Sequence, residues 1–142
     1  MSRLIFVNLP VRDLERSISF YEALGHAKNP QFSDDTAACI VVSDTIHVML
    51  LTHEKFMQFS PRPIADAKAG AQVLLCLSAS SREAVDAEVG KAVEAGGKAD
   101  PTPTQEYGFM YGRSYEDPDG HIWEVMWMDP VAVANGPEAA AA

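Results

Sequence analysis

The residue best placed to do chemistry in this chain is Glu124, in the segment Ile122-Trp123-Glu124-Val125-Met126. Alternation along a strand puts Glu124 on one face with Ile122 and Met126, so a carboxylate stands among apolar side chains. Burying a carboxylate there is costly unless it is protonated, paired or bound to a ligand. Glu124 is therefore a candidate for proton transfer. The alternative is a structural glutamate bonded to a backbone amide or an arginine.

His47 is a second candidate, as a lone base or a hydrogen-bond donor beside Glu124. Two hairpin turns, at Asp44 and Asp119, give a way to align the halves of the chain. Counting from these turns puts Met49 in the place of Glu124, and His47 then shares the inward face. A slip of one residue would turn His47 outward.

Asn8 lies two residues beyond Phe6, so both side chains share one face of a strand. The Asn8 amide can both donate to and accept from a ligand, and pairing with a neighbouring strand or turn is the alternative. Tyr111 and Arg113 alternate along another strand. Arg113 would pair with Glu124 or hold a ligand carboxylate, unless it is simply solvated.

The connector between the halves carries Phe56, Met57 and Phe59, at a spacing that suits one helical turn. These side chains would either pack in the ordinary way or form an aromatic lid over a cavity.

The elements that must position these residues form a repeat. A strand (Leu4 to Leu9) precedes a helix capped by Asp13, and two more apolar runs (Ala37 to Val42 and Ile46 to Thr52) form a hairpin. A shift of 68 residues lays Phe6 on Leu74 and brings a second helix, capped by Ser80 or Ser81, into step. We predict an α+β domain over residues 1–130. The domain has β-α-β-β-β units at about 3–52 and 72–129 and a connector at 53–71. A disordered tail at 131–142 follows it.

Composition limits the partners. The chain has 142 residues, 47% of them hydrophobic, which suits one domain with a substantial core. Its net charge of -9 disfavours nucleic acid, and no apolar run is long enough to span a membrane. We expect a cytoplasmic protein, because no secretory signal is visible, with Cys39 and Cys76 both reduced and buried.

Three sequence segments carry a resemblance to a known family: Phe6 to Ser17, Phe20-Tyr21 followed by Leu24-Gly25, and Asp117 to Glu124, which reads Asp-Pro-Asp-Gly-His-Ile-Trp-Glu. Together with the tandem units, they resemble the vicinal oxygen chelate superfamily of glyoxalases, bleomycin-resistance proteins and extradiol dioxygenases. The resemblance implies paired half-barrels around a cavity, homodimers in many members, and either a divalent metal or an organic ligand.

The resemblance also implies where metal ligands stand: in the first strand of each unit and in the last strand. Glu124 matches the last of these places, but the other two fall on Phe6 and Leu74, which have no lone pair to donate. We therefore predict a small-molecule-binding protein with no cofactor and an apolar cavity lined by residues such as Phe6, Met49, Leu74, Met126 and Phe56. The alternative is a lyase or isomerase similar to lactoylglutathione lyase, or a dioxygenase, with Ni, Zn or Fe on Glu124.

Overall fold

The structure is a computed structural model that describes residues 2–138. The chain divides after Gly70 into two compact units, called unit 1 and unit 2 below. Helices and strands occur in both units, which confirms the mixed α+β class. None of the helices among the described residues is long and apolar enough to cross a membrane.

Unit 1 is built on a four-stranded sheet in the order β1-β4-β3-β2, in which β1 runs parallel to β4 and the other pairs are antiparallel. A helix follows the first strand, as the β-α-β-β-β order predicts, and a second helix follows the last strand, in the connector. The bounds are β1 Ile5–Val11, α1 Leu14–Ala23, β2 Ala27–Asn29, a 3-10 turn Pro30–Phe32, β3 Ala37–Val41, β4 Ile46–Thr52 and α2 His53–Phe59.

Unit 2 repeats the arrangement in the order β5-β9-β8-β6, with the short β7 also paired to β8. Here β5 runs parallel to β9, and β8 and β9 form the antiparallel hairpin. The bounds are β5 Leu75–Ser78, α3 Arg82–Glu94, β6 Lys98–Ala99, β7 Gln105–Glu106, β8 Met110–Glu116, β9 Ile122–Met128 and α4 Pro130–Asn135.

The two long helices begin where side-chain oxygens cap them. Asp13 accepts a hydrogen bond from the Arg16 amide at 3.1 Å, and Ser81 accepts one from the Ala84 amide at 3.0 Å. Ser81, rather than Ser80, is therefore the cap of α3. Helix α1 ends before Gly25, whose φ of 100° lies in the left-handed region that glycine adopts without strain.

Each sheet has one face in its unit's core and one open face. In unit 1 the buried face carries Leu9, Val48 and Leu50, and the neighbouring helix α1 buries Phe20 and Tyr21. The side chains next to these along each strand lie on the opposite face, which is much more exposed. Phe6, for example, is 49% exposed. The alternation of side chains thus supplies both a core and an open surface from the same strands.

Three sequence-based expectations need correction. Strand β1 continues through Pro10 to Val11, because it is an edge strand and a missing amide donor is tolerated there. Cys76 is exposed rather than buried, whereas Cys39 is buried as predicted. A helix forms at Pro130–Asn135, with Ala132 buried, where composition predicted disorder. The rest of that prediction concerns residues up to 142, and 139–142 lie outside the described residues.

Candidate functional site

The open face of unit 1 brings Phe6 and His47 together. The parallel register of β1 and β4 pairs Phe6 with His47 and Asn8 with Met49. The Phe6 and His47 rings are stacked, with centroids 4.8 Å apart and planes inclined by 18°. His47 therefore lies on the face that the hairpin alignment indicated, beside the apolar side chain at the first-strand position.

His47 has an unusual polar atom. Its Nδ1 is buried, and within residues 2–138 no group hydrogen-bonds to it. Such an atom costs free energy that a bonded one would not. On the same face, the Asn8 amide donates to the Phe6 carbonyl at 3.3 Å, and the Asn8 side chain is otherwise exposed.

Helix α2 adds a wall to this face. The hydroxyl of Thr52 caps α2 by accepting from the Lys55 amide at 3.2 Å, which turns the chain directly from β4 into the helix. A pocket of about 580 Å³ results, lined by Asn8, Leu51, Phe56, Phe59 and Ser60. Phe59 is 69% exposed and none of the α2 residues is buried, so the helix contributes more to a pocket wall than to the core.

The open face of unit 2 holds Glu124. The register pairs Glu124 with Cys76 on β5 and with Ser114 on β8, and it pairs Met126 with Gly112. A small pocket of about 60 Å³ lies here. Its lining includes Glu124, Cys76, Met110, Gly112 and Met126, together with Thr102, Pro103 and Gln105 from the segment before β8.

Glu124 and Cys76 affect one another electrostatically. Desolvation raises the pKa of the Cys76 thiol, and the charge of Glu124 raises it further. Within residues 2–138, Glu124 forms no ion pair with a basic side chain. Leu74, just before β5, is 49% exposed, in keeping with its repeat partner Phe6.

Arg113 borders this pocket together with its strand neighbour Val125, but its guanidinium is held elsewhere, and Tyr111 does not line the pocket. Arg113 pairs across the hairpin with Val125, so its side chain lies on the face opposite to Glu124. Its guanidinium donates to both Asp100 oxygens, at 3.1 and 2.7 Å, and to Asp86 Oδ1 at 3.1 Å. The predicted Arg113–Glu124 pair therefore does not form, because α3 and the Asp100 segment cover the other face and supply the carboxylates.

Tyr111 also turns toward α3, where its hydroxyl donates to Asp86 Oδ1 at 2.6 Å. Four residues further along the strand, the Tyr115 hydroxyl donates to Glu88 at 3.0 Å. Tyr111, Arg113 and Tyr115 do share one face of β8, and their side chains hydrogen-bond to residues of helix α3.

Sequence reasoning missed several lining residues: Leu51, Ser60, Cys76 and Met110. Cys76 had an available signal, because the 68-residue shift that superimposes Phe6 on Leu74 also superimposes Asn8 on Cys76. Leu51 and Ser60 had none, since their role depends on how α2 folds back over the end of β4.

Comparison with known proteins agrees with this architecture. Residues 3–125 match the Glyoxalase/Bleomycin resistance protein/Dioxygenase superfamily, and the chain belongs to that family. No curated protein matches significantly.

Solved structures share the fold. A hypothetical protein from S. aureus is 30% identical, with 89% of this chain and 95% of that one covered and a TM-score of 0.74. A glyoxalase-related enzyme from Fulvimarina pelagi is 21% identical over 92% and 91%, with a TM-score of 0.74. The fosfomycin resistance protein FosX from Listeria monocytogenes is 15% identical over 92% and 96%, with a TM-score of 0.65. The last two similarities concern the fold alone.

The residues of this chain do not fit the metal centre that the family resemblance implies. Of the three expected ligand places only Glu124 carries a donor, and Phe6 and Leu74 offer none. Among residues 2–138, no group of three His, Cys, Asp or Glu side chains is arranged to hold an ion. We therefore assign no chemical step to a divalent metal.

Proposed function

We propose that this protein binds a small, largely apolar organic molecule in the aromatic pocket of unit 1, without a divalent metal cofactor. The observation that carries the proposal is the pocket itself. Its volume of about 580 Å³ falls in the range of about 300 to 1,000 Å³ that is typical of small-molecule sites.

The lining chemistry supports an aromatic or aliphatic ligand. Leu51, Phe56 and Phe59 provide apolar walls, while Asn8 and Ser60 provide a few polar groups that can orient a bound molecule. Large exposed aromatic side chains gathered at a concavity are unfavourable in water unless something covers them. Family membership fits this role, since a resemblance to bleomycin-resistance proteins implies ligand binding.

A thermal-shift screen with aromatic metabolites and drugs tests the proposal. A ligand at about 100 times its Kd stabilises the folded state by about 2.7 kcal/mol, which raises the Tm by several degrees. Phe59→Ala should reduce the shift because it removes one wall. Phe32→Ala is the matched control, since Phe32 is similarly exposed (66%, against 69% for Phe59) and does not line the pocket.

Two outcomes would refute the proposal: no compound raises the Tm at high excess, or the Phe59→Ala protein responds to a ligand as strongly as the Phe32→Ala protein does. Since Phe59 is mostly exposed, its truncation should leave the fold intact.

The alternative function is that of an enzyme, a lyase, isomerase or dioxygenase, with Glu124 as the candidate catalytic group of unit 2 and His47 as that of unit 1. What favours it is the position of Glu124 on an open face with no ion-pair partner among residues 2–138. Glu124 could act on a carbonyl compound as a metal-free acid or base, or it could ligate Ni, Zn or Fe. Metal analysis of untagged protein decides between these routes, and Glu124→Gln should abolish turnover while preserving ligand binding.

Homodimer formation is a further proposal that rests on the family resemblance. Light scattering of the purified chain should give twice the monomer mass, and a monomer at micromolar concentration would contradict it.

A further inference from the structure

The pocket of unit 2 differs from that of unit 1 in size and in the elements that line it. At about 60 Å³ it is far below the size of an organic-ligand site, but it has room for an ion and a water molecule. Three strands each contribute one sulfur-containing side chain to it: Cys76 from β5, Met110 from β8 and Met126 from β9.

Gly112 lies beside two of these side chains, those of Met110 and Met126. A methyl group placed on Gly112 would lie 3.7 Å from Met126 Cβ and 3.9 Å from Met110 Cε. The bare backbone at Gly112 therefore forms a floor between the two methionines. Each methionine has three rotatable bonds, so its thioether can adjust its position over this floor.

The electrostatics of the pocket favour a cation. Glu124 and Cys76 are neighbours on adjacent strands, and each becomes negatively charged on losing a proton. Arg113 also borders the pocket, but its guanidinium is ion-paired with Asp100 at 2.7 Å and with Asp86 at 3.1 Å.

We propose that this pocket binds one soft monovalent cation, Cu(I) or Ag(I), through the Cys76 thiolate and the thioethers of Met110 and Met126. Thiolate and thioether sulfur are the donors that select Cu(I), whereas Mg(II), Ca(II) and Mn(II) prefer oxygen. On binding, the thiol S–H bond breaks, a sulfur–metal bond forms and the proton passes to Glu124 or to water. The metal keeps its oxidation state, so no co-reactant is needed.

This site is independent of the organic-ligand pocket proposed for unit 1. It also differs from a family-type divalent centre, since two of its three donors are neutral thioethers. Zn(II), which favours thiolate and imidazole ligands, should therefore bind more weakly than Cu(I).

A competition titration with Cu(I) tests the proposal. The full chain is mixed, under anaerobic conditions, with Cu(I) held by a coloured chelator, and transfer of the metal is followed by absorbance. We expect one equivalent to move to the protein. Cys76→Ser and Met126→Leu should each weaken binding at least tenfold, while Glu124→Gln should weaken it less.

Two matched controls use the same residue types elsewhere in the chain. Met57→Leu alters an exposed methionine of α2, and Cys39→Ala removes a buried cysteine of unit 1. Both should bind Cu(I) as the unaltered protein does. Circular dichroism checks every fold, and Met57→Leu serves alone if Cys39→Ala does not fold.

The proposal is overturned if the protein takes no Cu(I) from the chelator, or if Cys76→Ser binds as tightly as the unaltered chain. Equal losses in Met57→Leu and Met126→Leu would also overturn it, because they would show unspecific binding to thioethers. A Tm shift with Ag(I) that disappears in Cys76→Ser would support it independently of the copper assay.

Discussion

The open face of unit 1 should tolerate loss of its largest side chain with little cost to stability. Phe6 and Leu9 lie on the same strand, β1, but on opposite faces: Phe6 is 49% exposed and Leu9 is 6% exposed. Phe6 also stacks on His47, whose buried Nδ1 has no hydrogen-bond partner within residues 2–138. Replacing Phe6 with alanine therefore has two opposing effects.

The magnitudes of these effects are similar. Fully burying a phenylalanine side chain contributes about 1.5–3 kcal/mol, so a half-exposed ring contributes about 1 kcal/mol. An unsatisfied buried polar atom costs about 1–3 kcal/mol, and we expect removal of the stacked ring to open His47 Nδ1 to water. The free energy of unfolding of Phe6→Ala should thus lie within about 1 kcal/mol of the unaltered value. Leu9→Ala, which leaves a cavity in the core, should lose about 2–5 kcal/mol.

Urea unfolding followed by far-ultraviolet circular dichroism measures both variants, provided that their m values agree with that of the unaltered protein. A double-mutant cycle with His47→Phe isolates the polar effect. In the His47→Phe variant there is no Nδ1 atom for water to reach. Phe6→Ala should therefore lower the free energy of unfolding by about 1 kcal/mol more in that variant than in the protein with His47. The reasoning is refuted if Phe6→Ala is as destabilising as Leu9→Ala, or if the cycle shows no coupling.

Three further predictions concern unit 2. Arg113→Met should lower the free energy of unfolding by about 0.5–1.5 kcal/mol, since it removes ion pairs with the partly exposed Asp86 and Asp100 carboxylates; urea unfolding measures this, and unchanged stability would contradict it. Hydrogen bonds from Tyr111 to Asp86 and from Arg113 to Asp100 lower the pKa of these carboxyls below 3.8 in the folded state. The stability that these shifts provide should be present above about pH 4 and be lost as the pH falls through the lowered pKa values of the folded state. Below pH 4 the Tm of the unaltered protein should therefore fall more steeply than the Tm of Arg113→Met. Ser81→Ala should lower the free energy of unfolding by about 0.5–2 kcal/mol, because it removes the cap of α3. The control, Ser80→Ala, should lower it by less than about 0.5 kcal/mol. Equal effects of the two substitutions in urea unfolding would contradict the cap assignment.

The repeat and most element positions could be predicted from local patterns. Strand β9, Ile122–Met128, contains the segment Ile122 to Met126 that was predicted to be a strand, because its alternation is strong and the turn before it is marked by Asp-Pro-Asp-Gly. Helix α1 follows its cap at Asp13 for the same kind of local reason. Composition gave a wrong prediction at the C-terminal end, where the short helix α4 forms in a segment that was predicted to be disordered.

The site was harder to predict, since the two faces of a strand look alike in a sequence. Alternation correctly grouped Tyr111 with Arg113 and grouped Glu124 with Met126. It did not show that α3, with Asp86, would cover the face of Arg113 and leave Glu124 on the open one. That outcome depends on where a helix far along the chain packs.

The sequence by itself determined the fold family, the order of elements and the loss of two metal-ligand positions, because these follow from residue types and spacing within short segments. Only the tertiary structure decided which sheet faces stay open, how Phe6 meets His47, and how Cys76, Met110 and Met126 come to share one pocket. Those arrangements depend on the register between strands distant in sequence and on where the helices pack, and short-range patterns carry little information about either.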